Sequence, residues 1–459
     1  MNWGFACVVA ESEKKMSRSG WRYFALVMAV VTNVCVLLFF KYYGFFAESI
    51  NVLVFRLSGG VEFKNILPVL HIVLPIGISF YTFKGLSLVF DSASGSLFTG
   101  YGHYSEIHML FPHAANSKRA ALTSTQGLID TLLYISFFPQ VASGPIVHAT
   151  EFYGDLDVAT EAQTVDFSTA SALIMSGLLK KLVFANYLST LLVNPVFTDL
   201  SAHSGFQVFM AAVGYSSVIY CDFSGYSDMA IGIALLLGFT TPKNFDRPYS
   251  AFCIGDFWRR WHISFSMWLR KYLYFKLGGS RHGLPRTIVA LFITMLVSGL
   301  WHGASWMFVL WGVMQGVALI VERLVKVGKT PSTNSFGHAL QVLITFVYTS
   351  ISWVVFRSTN WKEVLAWFKA LIASPHGFFT TTQAFNAESI VPQVLTPLVI
   401  ILLLVSLGMH LISDKVRADA LTIWKCTPIF IQVLFIVVFF IGLSIFSMSS
   451  VAPFIYFSF

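Results

Sequence analysis

The sequence predicts an all-α, polytopic membrane protein, on three observations. The chain of 459 residues is 56% hydrophobic and 11% charged, with a mean hydropathy of +0.70. A soluble domain carries roughly a quarter charged residues, so a chain this apolar cannot cover its surface in water. Apolar stretches long enough to cross a bilayer, about 20 residues each, recur along its length. The 45 Phe, 17 Tyr and 12 Trp residues add rings suited to the hydrocarbon and headgroup zones.

Ten stretches read as spans: 23–40, 66–90, 128–146, 170–193, 206–239, 287–301, 304–325, 339–356, 390–412 and 429–447. No polar linker long enough to separate two cores interrupts them, so residues 1–459 are expected to form one integral-membrane domain. Residues 1–13 lack a basic stretch followed by an apolar core, which argues against a cleavable signal peptide. Lys14, Lys15, Arg18 and Arg22 precede the first span and mark a cytoplasmic flank. Residues 91–125 are polar and rich in Ser, Gly and His, and read as a long loop. Residues 250–277 mix Trp, Phe and Leu with five basic residues, the pattern of an amphipathic or re-entrant helix at the interface. Residues 361–372 form a second, shorter stretch of this kind.

The net charge of +8 reports orientation here rather than nucleic-acid binding. Between residues 246 and 286, Arg247, Arg259, Arg260, Arg270, Lys271, Lys276, Arg281 and Arg286 face only Asp246 and Asp256 in the count. This basic interfacial segment belongs on the cytoplasmic side. It serves topology and lipid headgroups, or it also holds a phosphorylated donor, for which arginine's planar fork is suited. The five cysteines are scattered, with neither paired nor metal-type spacing, so neither disulfides nor a metal site is expected.

Ionisable residues inside spans are costly and usually face a protein interior or a wet cavity. Asp222-Phe-Ser-Gly-Tyr-Ser-Asp228 places two carboxylates, three hydroxyls and a glycine within an apolar run. It reads as a helix broken at Gly225, with backbone open to a ligand or with its acids capping a half-helix or pairing with arginines. Six residues apart, Asp222 and Asp228 fall on different faces of a regular helix. In Phe257-Trp-Arg-Arg-Trp-His-Ile-Ser264, His262 follows a double arginine. In Gly299-Leu-Trp-His-Gly-Ala304, His302 joins two apolar stretches between Gly299 and Gly303, which let a backbone or substrate approach. Histidine also suits proton transfer near neutrality. One chemistry accommodates all of this. A membrane-embedded histidine takes the proton of an acceptor hydroxyl, the hydroxyl attacks a thioester, and Trp, Arg or backbone donors hold the oxyanion.

Together the motifs resemble the membrane-bound O-acyltransferase (MBOAT) family, and within it the bacterial branch that acetylates exopolysaccharides of the alginate type. They begin with Leu74-Pro-Ile-Gly-Ile-Ser-Phe-Tyr-Thr-Phe83, Phe137-Phe-Pro-Gln-Val-Ala-Ser-Gly-Pro-Ile146 and Gly177-Leu-Leu-Lys-Lys181. The Asp222 motif, Asn244-Phe-Asp-Arg-Pro-Tyr249, the His262 motif, Trp268-Leu-Arg-Lys-Tyr-Leu-Tyr274, Leu277-Gly-Gly-Ser-Arg281 and the His302 motif follow in the family's order, and the ending from Phe454 also resembles it. The resemblance is dense from Leu74 to Arg323. It implies a many-helix bundle with re-entrant segments around a central tunnel. It also implies His302 as the catalytic histidine and His262 as the second histidine of the site. Arg259, Arg260, Trp261, Trp301, Asp222 and Asp228 are the candidate substrate-contacting residues.

The implied activity moves acetyl from a cytoplasmic thioester, acetyl-CoA, toward the periplasm, with periplasmic acetyltransferase partner proteins and a polysaccharide acceptor such as alginate or cellulose. The implied location is the bacterial inner membrane, with no bound cofactor. Peptidoglycan O-acetylation, teichoic-acid D-alanylation and a non-catalytic acyl or glycan transporter are the alternatives. The sequence departs from the family in three places. Relatives carry hydrophobic segments ahead of the one at Tyr23, loop 91–125 is long and bears His103, His108 and His113, and Cys221 stands where an aromatic is common.

Overall fold

The computed structural model describes residues 1–14, 19–58, 66–70, 72–94, 122–158, 165–325, 330–374, 394–448 and 454–455. Helix is the one kind of regular secondary structure among these residues, which include no strand. Most of loop 91–125, with His103, His108 and His113, lies outside them, and Asp91 belongs to a helix.

Seven helices among the described residues are long and apolar enough to cross a membrane, by length and composition. They are Gly20–Leu57, Phe167–Thr198, Gly205–Leu236, Leu284–His302, Trp306–Val325, Ser335–Arg357 and Ile429–Phe446. The other three expected spans are shorter helices. Residues 66–90 give only Ile78–Ala93, because Pro75 and the left-handed Gly77 delay its start. Residues 128–146 give Thr125–Ser136 and the short Phe138–Val141, broken at Phe137, because Pro139 has no N–H to continue the helix and tolerates only a helix start. From 390–412, the described part forms Pro397–Gly408.

The chain packs as two compact units, one of residues 1–165 with 234–242 and one of 166–233 with 243–459. In the first unit, Asn2–Lys14 is a helix whose Ala6, Val9 and Ala10 are buried with Ala25, Ala29, Leu88 and Phe152. Hydropathy alone did not show it. Gly85 leaves room for the Asn2 side chain, where a Cβ would collide. Lys84 is fully buried, and its ammonium donates to the Tyr134 carbonyl (3.2 Å) and Gln140 Oε1 (3.0 Å).

In the second unit, burial separates two kinds of span. The Ile429–Phe446 helix is 11% buried and exposes Phe430, Leu434, Phe435 and Ile445, as lipid-facing surface requires. The Gly205–Leu236 helix is 78% buried, and it carries Asp222 and Asp228. The expected break in this helix is absent: it runs unbroken for 32 residues. Gly225 serves close packing instead. A Cβ there would strike the Gly177 carbonyl, and a Cβ on Gly177 would strike the Gly225 carbonyl.

The expected interfacial helix over 250–277 is divided into Ile254–Arg260, Ile263–Leu269 and a π-helical turn, Arg270–Tyr274. The division falls at His262, whose φ of 43° lies in the left-handed region. The second amphipathic stretch is the helix Trp361–Ala373, capped by Asn360 and burying Val364 and Trp367.

Candidate active site

Three local arrangements in the second unit position the candidate residues. The first is the Gly177–Gly225 crossing, which sets Lys180 and Lys181 against the acidic helix. Lys180 Nζ donates to Asp228 Oδ2 at 2.6 Å, and Ser176 Oγ donates to the same oxygen at 3.2 Å. Lys181 pairs with Asp222, whose second oxygen accepts the Ile455 backbone N–H at 2.8 Å. The two acids, on different faces, are served by consecutive lysines at the start of a π-helical turn, Lys180–Ala185. Lysines take the place expected for arginines.

Removing one partner of a buried pair strands the other charge, whereas replacing both by apolar groups is far milder. The Lys180 and Asp228 side chains are 13% and 21% exposed, so Asp228→Leu is expected to destabilise the protein by about 2 kcal/mol, less than for a fully buried pair, and adding Lys180→Met is expected to restore much of that. Thermal unfolding of the detergent-solubilised single and double variants measures the difference. A double variant no more stable than Asp228→Leu would contradict it.

The second arrangement holds His262. The Asn244 segment pairs with the backbone around it: Ile263 N–H donates to the Asn244 carbonyl (2.9 Å) and Asp246 N–H to the Arg260 carbonyl (2.8 Å). Asn244 Oδ1 accepts from Ser264 N–H (3.3 Å) and Ser264 Oγ (2.9 Å), and Asn244 Nδ2 donates to Ser227 Oγ (3.0 Å). A backbone N–H can only donate, so the amide orientation follows from Ser264. His262 Nδ1, 3.1 Å from that same Oδ1, must then carry its proton. The Nε2 atom is left as the lone-pair nitrogen, the form that accepts a proton or a hydrogen bond. The left-handed backbone at His262 costs about 1–2 kcal/mol, offset by this network. Ser227 ties the acidic motif to His262 through Asn244.

The third arrangement holds His302. It is the last residue of the Leu284–His302 helix, and Gly303 is extended. The expected close approach of another backbone occurs at Gly299. Gly299 meets the backbone of Phe308 and Gly312 on the next helix, and Gly303 meets the Phe308 ring. This close crossing brings Trp311 onto His302 at 5.2 Å and 89°, and among the described residues Phe356 at 5.2 Å and 73° and Phe265 at 5.8 Å and 62° also lie against it.

Phe265 joins the two histidines. Its ring stacks on His262 at 4.9 Å and 21° and stands edge-on to His302, and Trp301 lies 6.2 Å from it. All four residues are buried. The structure thus gathers His262, His302 and Trp301 around one ring. The remaining candidates lie in other surroundings. Arg259 and Arg260 both pair with Asp256, at 3.3 and 2.9 Å. Trp261 stacks on Phe257 at 5.5 Å and packs on Trp353 at 5.0 Å. Nearby, burial pulls the Asp246 carboxyl upward, but Lys243, Arg247 and Arg260 outweigh it and hold it below the usual carboxylate range.

Sequence reasoning did not single out Asn244, Phe265, Trp311 or Phe356 as site residues. Asn244 did carry a signal, as the polar head of a motif ahead of the basic segment. The three rings carried none, since they look like any apolar helix position.

Comparison with known proteins bears on the family of the chain. The profile of MBOAT, the membrane-bound O-acyltransferase family, matches residues 61–360. "Probable alginate O-acetylase AlgI" of Pseudomonas aeruginosa is 36% identical over 76% of this chain and 60% of its own length. The protein of the same description from Pseudomonas putida is 31% identical over 95% of this chain and 84% of its own. The "Peptidoglycan O-acetyltransferase" of Helicobacter pylori is 33% identical over 76% of this chain and 64% of its own. In the Pseudomonas aeruginosa and Helicobacter pylori relatives, the chain thus spans less than two thirds of their length. These matches make the chain a member of the membrane-bound O-acyltransferase family.

Proposed function

We propose that this chain is a multi-pass O-acetyltransferase of the bacterial inner membrane. It moves acetyl from cytoplasmic acetyl-CoA toward the periplasm, for O-acetylation of an exopolysaccharide of the alginate type, with periplasmic acetyltransferase partners. The observation that carries the reading is the pairing of His262 and His302 across Phe265 in a buried, aromatic-walled site. The likeness to alginate O-acetylases supports the acceptor class. The basic 246–286 segment supports a cytoplasmic donor side.

In this reading His302 is the base. Its imidazole takes the acceptor's hydroxyl proton as the oxygen bonds to the thioester carbonyl carbon. The carbonyl pair moves onto oxygen, then returns as the carbon–sulfur bond breaks. The departing thiolate takes the proton from the imidazolium, giving an ester and free thiol. His262, its Nδ1–H held by Asn244, presents Nε2 to a donor on a substrate. Burial strengthens each of these interactions, because water does not screen them.

Inside-out membrane vesicles holding the chain, its partners and a lumenal oligosaccharide test the reading. Labelled acetyl-CoA added outside is expected to give lumenal acetyl ester. Ester formation no greater than in vesicles lacking the chain would overturn it. The likeness to a peptidoglycan O-acetyltransferase favours one second reading, with cell-wall glycan as acceptor. The same vesicles loaded with peptidoglycan fragments discriminate the two.

A further inference from the structure

Indole N–H groups in a protein interior normally find an acceptor, because a buried donor left unmet keeps its full desolvation cost. Several here do. Trp3 donates to the Leu122 carbonyl at 2.9 Å, Trp258 to Gln315 Oε1 at 3.3 Å, and Trp424 to the Ser168 carbonyl at 3.0 Å. Trp311, Trp353 and Trp367 are buried, and their Nε1 atoms have no hydrogen-bond partner among the described residues. Of these three, Trp311 alone has a ring contact with His302, at 5.2 Å and nearly perpendicular.

Its placement follows from the glycine crossing. Gly312, next in sequence, has its Cα against Gly299, three residues before His302. Trp311 is also locked in orientation, stacked on Trp353 at 5.6 Å and 18° with Phe356 at its edge. A second polar atom beside the same histidine is unmet. Ser298 Oγ, one helical turn before His302 and on its face, is fully buried without a partner among the described residues. Two unmet polar groups therefore sit on the two helices that meet at His302. The natural acceptor for a rigid, desolvated N–H there is the oxygen of whatever reacts at His302.

We propose that the Trp311 indole N–H is the hydrogen-bond donor to the acyl carbonyl oxygen during transfer. It is a catalytic residue that holds the oxyanion formed when the acceptor hydroxyl adds to the thioester. The bond to that oxygen strengthens as the carbonyl pair moves onto it, and weakens when the carbon–sulfur bond breaks and the carbonyl reforms. Its contribution therefore falls on kcat more than on KM.

This inference rests on the acyltransferase reading, so two variants are measured together in the full chain with its partners. The first is W311F. The second carries 3-benzothienylalanine at position 311, which keeps the bicyclic ring and replaces N–H by sulfur. The second preserves the packing if W311F fails to reach the membrane. Both are expected to lower kcat roughly a hundredfold, with KM for acetyl-CoA within about threefold and membrane level maintained for the benzothienyl protein. A benzothienyl variant with kcat within about threefold of the parent overturns the role of Trp311. His302→Ala is run in parallel: if it retains parental transfer, the acyltransferase reading of the site falls, and this inference with it. If it is inactive while the benzothienyl variant is not, only the Trp311 inference falls.

Discussion

His302→Ala is expected to lower acetyl transfer roughly a thousandfold at unchanged membrane level. The substitution removes the only ionisable group in the Gly299–Ala304 turn. It also removes the ring on which Trp311, Phe356 and Phe265 converge. The helix crossing itself is made by Gly299 and Gly312 and does not depend on the imidazole, so folding should survive. The measurement is the acetyl content of the product, set against the amount of chain in the membrane. A parental acetyl content would exclude His302 as the base. A loss of protein in step with activity would show that the imidazole is a packing element instead. His302→Gln separates the two further, since it fills much of the same space but accepts no proton. It is expected to be as inactive as the alanine variant.

Asn244→Leu is expected to have the next largest effect, for a different reason. Asn244 does not itself take a proton. Its amide fixes which nitrogen of His262 carries one, and it anchors the strained turn that aims that ring. The leucine removes the bonds to Ser264 N–H, Ser264 Oγ and Ser227 Oγ, each worth about 1 kcal/mol. With Nδ1–H unanchored, His262 is free to change tautomer and rotate. Transfer is expected to fall on the order of a hundredfold, together with a lower unfolding temperature. Asn244→Asp keeps an acceptor for Nδ1–H and for Ser264, and is expected to recover a large part of the activity. Asn244→Leu at parental kcat would remove His262 positioning from the mechanism, whatever its effect on stability.

These two residues mark how far the sequence could be read. His302 stood out because an ionisable group between two apolar stretches has few uses in a membrane. Asn244 did not, because an asparagine ahead of a basic segment has the look of a loop residue. Only the fold shows that its amide reaches 18 residues along the chain to His262. The acidic motif shows the opposite error. Asp222, Gly225 and Asp228 within an apolar run suggested a broken helix. The helix is intact because Lys180 and Lys181 neutralise the acids and Gly177 accepts the close approach of Gly225. A partner on another helix cannot be inferred from one segment's composition.

Hydropathy and charge by themselves determined that this chain is an all-helical membrane protein with a basic face and two histidines of interest. Those properties add up residue by residue along the chain, so a linear reading captures them. Which apolar stretches become full spans depended on local breaks at Pro75, Gly77 and Pro139. Which polar groups meet depended on helix crossings. Those crossings are set by where glycines let backbones touch, at Gly177 with Gly225 and at Gly299 with Gly312. Only the tertiary structure decided that Phe265 would stand between His262 and His302 and that Trp311 would lie against His302. The physical reason is that a buried aromatic ring has the same sequence signature whether it fills a core or walls a reaction site.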